Sequence, residues 1–151
     1  MDALRENQIN KKPILAMNSP LTSSRIPAHR ILVATPQSDV AMLFLGWFAK
    51  QGMYVGLVAD GRELADASKL PQAPECLILD DALGAAVLPA ILKCIRSQPG
   101  WAKTVVVAAG SFSEEQEVEL LKAGADEVVA KPLRLSALIF RIKRFWDVRH
   151  G

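Results

Sequence analysis

The sequence has few of the residues on which common enzyme sites are built. Its two histidines, His29 and His150, lie outside the periodic part of the chain, so none is placed to activate a serine or cysteine nucleophile. Neither a GxGxxG nor a GxxxxGKS/T glycine loop occurs, which argues against a nucleotide site of that kind. Cys76 and Cys94 lack a CxxC partner, and we expect both to be buried free thiols. We predict no catalytic residue and do not expect an enzyme.

Long hydrophobic runs are also missing. No segment approaches the roughly 18 apolar residues of a membrane span, and the opening residues, MDALRENQINKK, lack the apolar core of a signal peptide. A net charge of +2 is too small to indicate nucleic acid as a partner. We therefore expect a cytoplasmic protein that contacts neither membrane nor nucleic acid directly.

The chain divides into a polar beginning and a regularly patterned remainder. Residues 1–28 have little to bury, and we interpret them as a flexible leader or linker. From Arg30 the chain alternates short runs rich in Val, Ile and Leu with stretches of helical spacing, which predicts one domain over residues 29–148. The predicted strands are 30–34, 54–59, 76–79, 104–109 and 127–130, and the predicted helices are 38–51, 61–70, 84–97, 113–123 and 133–147.

The predicted strands are apolar on both faces, whereas the predicted helices are apolar on one side. In the first helix Val40, Leu43, Phe44 and Trp47 fall at i, i+3, i+4 and i+7, the side expected to face the core. Doubly apolar strands that alternate with helices predict a parallel sheet with right-handed crossovers. The predicted fold class is α/β, with a five-stranded parallel sheet in a doubly wound (βα)5 three-layer sandwich. Ligands of such sheets bind at the carboxyl ends of the strands.

Four segments resemble the receiver domain of two-component response regulators. They are ECLILDD in the third strand, VADGREL after the second, AGADEVVAKPL around the fifth and LSALIFRIKRF in the last helix. They occur in the order and spacing of that family and cover about residues 30–147. The resemblance implies a flavodoxin/CheY-like sandwich and a role in two-component or phosphorelay signal transduction. A flavodoxin-like ligand-binding domain unrelated to receivers is the other interpretation of the fold.

Two of the family's five site positions are present. Asp80 aligns with the aspartate that accepts a phosphoryl group from a histidine kinase, and Lys131 aligns with the lysine that pairs with the phosphoryl oxygens. The bond before Pro132 is commonly cis in this family, a conformation accessible mainly at proline. The resemblance thus makes Asp80 the candidate phosphoacceptor.

The other three positions depart from the family. Thr35 and Pro36 stand where receivers carry the acidic pair that holds Mg²⁺, Ala108 stands for a Ser or Thr, and Val128 stands for an aromatic residue. The hydroxyl and the aromatic ring form the conventional switch, so both halves of it are missing. We interpret these four residues as degenerate switch positions.

The missing acidic pair affects the expected binding of Mg²⁺. Mg²⁺ needs oxygen ligands and neutralises charge during phosphoryl transfer, so metal-assisted phosphorylation should be weakened. Asp80 and Asp81 are only weak metal candidates, because Asp81 should point away from Asp80 if the strand geometry continues. We therefore predict no metal or cofactor.

The leading interpretation is a degenerate receiver, or pseudo-receiver, that acts as a protein interaction module without conventional Mg²⁺-dependent phosphorylation. The alternative is a functional response regulator that a histidine kinase phosphorylates on Asp80, with Mg²⁺ as its cofactor. The expected partners are a histidine kinase, a phosphotransfer domain or an attached output domain.

Two surfaces are candidates for partner binding. The first helix carries a second apolar stripe that includes Met42 and Leu45, which either binds a partner or is covered by the leader. The last helix carries Arg141 and Arg144, and the fourth helix is acidic. These charges suit either a homodimer through the fourth helix, fifth strand and fifth helix, or a solvated surface.

Overall fold

The computed structural model describes residues 30–150, so the predicted leader, 1–28, lies outside the described residues. Five strands pair in parallel in one sheet with the order β2-β1-β3-β4-β5. The strands are β1 (Arg30–Ala34), β2 (Tyr54–Val58), β3 (Cys76–Asp80), β4 (Val105–Gly110) and β5 (Glu127–Ala130). The predicted parallel sheet is confirmed, and each strand lies within a residue of its predicted bounds.

Helices cover both faces of the sheet. They are α1 (Ser38–Lys50), α2 (Gly61–Ala67), α3 (Leu88–Arg96), α4 (Glu114–Ala123) and α5 (Leu135–His150). One hydrophobic cluster joins α1 and α5 to the sheet, and a second joins α2, α3 and α4 to the opposite face. The three-layer sandwich is therefore confirmed. Among the described residues no helix is long and apolar enough to cross a lipid bilayer.

The third helix begins later than predicted. A 3₁₀ turn, Asp81–Leu83, follows β3 directly, and Gly84 after it has a φ of 111°, a left-handed conformation that glycine adopts without strain. The helix starts only at Leu88, four residues after the predicted start at 84. Thus the chain leaves β3 through a tight turn, which changes the direction of the residue that follows Asp80.

Helix α1 is rotated relative to the prediction. Its buried residues are Ala41, Phe44 and Phe48, and the rings of Phe44 and Phe48 stack with centroids 5.7 Å apart. Leu43, predicted to face the core, is 57% exposed, whereas Phe48 is fully buried. The prediction for Leu43 was wrong because periodicity alone does not determine which of two adjacent apolar stripes faces the sheet.

The two cysteines differ in environment. Cys76 on β3 is buried, as expected, and burial raises the pKa of its thiol. Cys94 on α3 is exposed, so the expectation of a buried thiol was wrong there. It lies between Leu92 and Ile95, which take the buried positions of that helix.

Alanine substitutions at positions 48 and 43 test the rotation of α1. Phe48→Ala should lower the free energy of unfolding by about 3–5 kcal/mol, because it opens a cavity in the core. Leu43→Ala should change that free energy by only about 0.5 kcal/mol, as is usual for exposed positions. Urea unfolding followed by circular dichroism measures both. Equal costs at the two positions would contradict the observed orientation.

Candidate functional site

The carboxyl edge of the sheet gathers the polar residues that follow the central strands. Asp80 ends β3, Thr35 follows β1, and Lys131 follows β5. Asp80 is 1% exposed and Thr35 is 4% exposed, in a domain whose core is otherwise apolar. A carboxylate removed from water to this extent is costly unless it is paired and hydrogen-bonded. The contacts of Asp80 therefore define the site.

Asp80 is held on both of its oxygens. Lys131 Nζ donates to Asp80 Oδ1 at 2.5 Å, and the backbone N–H of Ala82 donates to the same oxygen at 3.2 Å. The hydroxyl of Thr35 donates to Asp80 Oδ2 at 2.5 Å. That hydroxyl also accepts a hydrogen bond from the backbone N–H of Gln37 at the start of α1, which fixes its orientation. Asp80 and Lys131 meet as the resemblance implied.

Asp81 points into the site, although it was expected to point away. It begins the 3₁₀ turn, so the alternation of side chains along β3 stops at Asp80. Lys131 Nζ lies 2.8 Å from Asp81 Oδ1, and the backbone N–H of Ser111 donates to Asp81 Oδ2 at 2.9 Å. Lys131 is therefore bound by two carboxylates.

Gly110 makes room for the Asp81 side chain. A Cβ atom placed on Gly110 would lie 2.3 Å from Asp81 Cγ and 2.4 Å from Asp81 Oδ2, well inside van der Waals contact. Any larger residue at the end of β4 would force Asp81 to move. Gly110 is therefore part of the site through the space that it leaves open.

The charged groups of the cluster shift the pKa values of Asp81 and Lys131. Burial acts to raise the pKa of Asp81, but hydrogen bonds from Lys131 and from the Ser111 N–H outweigh it, and the pKa lies below its ordinary value of 3.8. Burial likewise acts to lower the pKa of Lys131, but its bonds to Asp80 and Asp81 hold that pKa above 10.5. Both groups are thus charged at neutral pH.

The other predicted switch positions lie in different places. Ala109 is directly opposite Asp80 in the pairing of β4 with β3, whereas Ala108 is opposite Leu79. Ala108 packs in the cluster with α2, α3 and α4, on the face away from Asp80, so its assignment beside the phosphoacceptor was wrong by one residue. Val128 packs partly buried against that same cluster, and Pro36 is exposed. The residue beside Asp80 is still an alanine without a hydroxyl.

Some of the residues predicted to bind a partner are exposed, whereas Leu45 is not. Met42 on α1 is 58% exposed, but Leu45 packs partly buried against the core, so the exposed apolar pair is Met42 and Leu43. On α5, Arg141 forms an ion pair with Glu127 of β5. Arg144 is exposed beside them in a shallow cavity of about 430 Å³, which is also lined by Phe145 and Val148.

Two curated proteins are similar to this chain in sequence. No family model matches the chain. The chain is 28% identical over 118 residues to the transcriptional regulatory protein PrrA of Mycobacterium tuberculosis, and equally to PrrA of Mycobacterium bovis. The match covers 78% of this chain and 50% of PrrA, so the chain spans about half the length of these curated relatives.

Solved structures define the class of fold. A two-component response regulator from Clostridium difficile matches with a TM-score of 0.72 and 18% identity over 82% of this chain and 99% of its own. The chemotaxis response regulator CheY4 of Vibrio cholerae matches with a TM-score of 0.69 and 22% identity, over 78% of this chain and 98% of its own. The chain therefore has the CheY-like fold of response-regulator receiver domains, as the resemblance implied.

A third neighbour bears on the metal. The receiver domain of sensor histidine kinase PA1611 from Pseudomonas aeruginosa, with a magnesium ion coordinated in its active site cleft, matches with a TM-score of 0.68 and 20% identity. The match covers 78% of this chain and 97% of the PA1611 receiver domain. In residues 30–150 of the present chain, no group of three His, Cys, Asp or Glu side chains could hold a metal ion. Asp80 and Asp81 share the single ammonium group of Lys131, and Thr35 and Pro36 add no carboxylate, so a magnesium ion bound here would meet that positive charge and have few acidic ligands.

Sequence reasoning missed three parts of this site. They are the hydroxyl bond of Thr35 to Asp80, the inward direction of Asp81 and the space at Gly110. A usable signal was the glycine at the end of β4, since a strand end without a side chain often marks close approach by another group. The Asp81 direction had no such signal, because it depends on the turn that follows.

Asp81→Asn tests the ion cluster by its pH dependence. Because the pKa of Asp81 is depressed in the folded chain, its contribution is present above the ordinary value of 3.8 and is lost as the pH falls through the folded pKa. We expect the variant to be less stable than wild type by about 1.5–3 kcal/mol at pH 7, and the gap to shrink below about pH 4. Urea unfolding at a series of pH values measures it.

Asp66→Asn is the matched control, since Asp66 is exposed on α2. Its stability should stay close to that of wild type throughout the series. A gap for Asp81→Asn that is the same at pH 3 and pH 7 would contradict a charged Asp81 in the cluster.

Proposed function

We propose that this chain is a receiver-type module of two-component signalling that acts through protein contacts and is not switched by phosphorylation of Asp80. The observation that carries the proposal is the burial of the Asp80 carboxylate, which is 1% exposed and whose two oxygens accept bonds from Thr35, Lys131 and Ala82. The receiver-like fold and the partial similarity to PrrA support the signalling class.

The chemistry of phosphoryl transfer supports the same conclusion. An attacking carboxylate oxygen must be free to approach phosphorus, and cations must neutralise the charge that develops on the phosphoryl oxygens. Asp80 is 1% exposed, and its oxygens are already bonded. Ala109, beside it on β4, has no hydroxyl to donate to a phosphoryl group. Of the groups that stabilise a transferred phosphoryl group, the site offers the ammonium of Lys131, but no hydroxyl on β4 and no acidic pair at positions 35 and 36 to hold a metal.

A second candidate function is a response regulator that a histidine kinase phosphorylates on Asp80, with Mg²⁺ as cofactor. One observation favours it: Lys131 Nζ lies 2.5 Å from Asp80 Oδ1, where it could pair with a phosphoryl group on that oxygen. This candidate requires a phosphodonor to reach Asp80, which is 1% exposed. It also requires a metal shell that the described side chains do not offer.

The exposed surface of α1 is suited to a partner such as a histidine kinase or a phosphotransfer domain. Met42 and Leu43, which are consecutive in the helix, are 58% and 57% exposed. An attached output domain is a further partner of this class. Apolar side chains exposed in pairs are typical of contact surfaces rather than of a solvated helix.

The α4 and α5 surfaces are suited to a second copy of this chain. On α5, Phe140 and Val148 are 64% and 85% exposed, with Arg144 between them. On α4, Val118 and Leu121 are each 44% exposed, and Glu114 and Glu117 complete the same side of the helix. Apolar groups flanked by opposite charges favour a two-fold contact of α4 with α5, in which the apolar contacts supply most of the affinity.

Incubation with acetyl phosphate and Mg²⁺ tests the state of Asp80. We expect intact-mass spectrometry to show no adduct of about 80 Da on the folded wild-type chain, because Asp80 is 1% exposed and positions 35 and 36 offer no carboxylate to hold Mg²⁺. A receiver domain that is competent for phosphorylation serves as the positive control. An adduct on wild type that is absent from Asp80→Asn would contradict the proposal and establish the second candidate.

Sedimentation velocity over a range of concentrations tests the contact between copies. We expect wild type to self-associate and Phe140→Glu with Arg144→Glu to remain monomeric, because the change places acidic groups against acidic α4. Met42→Glu with Leu43→Glu is the matched control on α1 and should associate like wild type. A wild type that is monomeric at all concentrations would exclude a second copy as the partner.

A further inference from the structure

The ammonium group of Lys131 lies between two carboxylates. Its Nζ is 2.5 Å from Asp80 Oδ1 and 2.8 Å from Asp81 Oδ1, so one positive charge bridges the two side chains. The side chain of Lys131 is 28% exposed and that of Asp80 is 2% exposed, so the bridge joins a partly exposed lysine to a buried aspartate. A cation that bridges two aspartates is the arrangement by which proteins also hold a divalent metal ion.

The remaining oxygens of the two aspartates are occupied as well. Thr35 donates to Asp80 Oδ2, and the backbone N–H of Ser111 donates to Asp81 Oδ2. Mg²⁺ binds oxygen at about 2.0–2.1 Å and needs lone pairs that point at it. A magnesium ion that bridged Asp80 and Asp81 would lie where the ammonium group of Lys131 lies, and elsewhere in the site it would still meet that positive charge at the same carboxylates.

The second carboxylate is fixed in place by the backbone. The turn after β3 directs Asp81 inward, the Ser111 N–H holds its outer oxygen, and Gly110 leaves space for its Cγ. The bridge therefore does not depend on a long, freely rotating acidic side chain. Lys131 itself follows β5 directly, so its backbone is positioned by the sheet.

We propose that Lys131 is the resident cation of this pocket, in the position where a divalent metal ion would bind the two aspartates, and that it excludes Mg²⁺ from the wild-type chain. This inference deepens the proposed function and rests on it for the role of the pocket. Because this cation is a side chain, the net charge of the site does not depend on the cellular concentration of Mg²⁺.

Titration of wild type and Lys131→Met with Mg²⁺ and with Mn²⁺ tests the inference. Melting temperature and isothermal titration calorimetry are the readouts, without phosphodonor or partner. We expect no saturable response from wild type up to about 10 mM metal, since a ligand that does not bind the folded state does not stabilise it. Lys131→Met should bind one metal ion, and its melting temperature should rise by about 2–5 °C.

Two further variants make the result specific. Lys131→Met combined with Asp81→Asn should lose the response to metal, because one of the two bridging carboxylates is gone. Lys122→Met, on the exposed surface at the end of α4, should behave like wild type. A response of Lys122→Met equal to that of Lys131→Met would overturn the inference.

Other outcomes would also overturn it. They are saturable binding of Mg²⁺ or Mn²⁺ to wild type that is lost in Asp80→Asn, or a folded Lys131→Met that binds neither ion. If Lys131→Met does not fold, the wild-type titration decides alone. Metal binding by wild type without a phosphoryl adduct would overturn only this inference, whereas an Asp80 adduct would overturn the proposed function.

Discussion

The site depends on one buried carboxylate. Asp80 ends the central strand β3 and is almost fully removed from water, so the fold must supply a counter-charge and hydrogen-bond donors for it. Lys131, Thr35 and the turn at Ala82 meet this requirement from three different parts of the chain. Loss of any one partner leaves a charge or a polar atom unpaired in a region of low dielectric, where the cost is high. The carboxyl edge is therefore organised around the pairing of Asp80.

The sheet topology explains why these groups can meet. The chain passes from β1 to β2 on one side and then to β3 on the other, so the strand order reverses between β1 and β3. Side chains that follow these strands face a crevice between the two sets of helices, which is where sites of open parallel sheets form. Thr35 and Asp80 lie on the two strands at that point, and Lys131 reaches them from β5 across the small residues Ala109 and Gly110. The space at Gly110 is taken by Asp81, which meets Lys131 there.

Much of the fold followed from the sequence, and part of the site did not. Doubly apolar strands separated by helices determine the order of elements, and Asp80 and Lys131 were identified by resemblance. The errors share one cause, which is that a pattern along the chain does not determine the direction of a side chain. Leu43 faces solvent while Phe48 is buried, because α1 is rotated relative to the prediction. Ala109 rather than Ala108 lies beside Asp80, because side chains alternate along β4. Asp81 turns inward because β3 ends in a 3₁₀ turn. Only the packed structure determines these directions.

The close approach of Asp81 to Gly110 has a consequence for how this pocket can change over evolutionary time. An acidic residue at position 35 alone would place a third carboxylate beside a single ammonium group. A larger residue at position 110 alone would collide with Asp81 and displace it. Each of these changes alone would thus disturb the Asp81 side chain or its ion pair with Lys131. We therefore expect substitutions to be tolerated more readily on the exposed faces of the helices than at positions 35 and 110, which border the ion cluster.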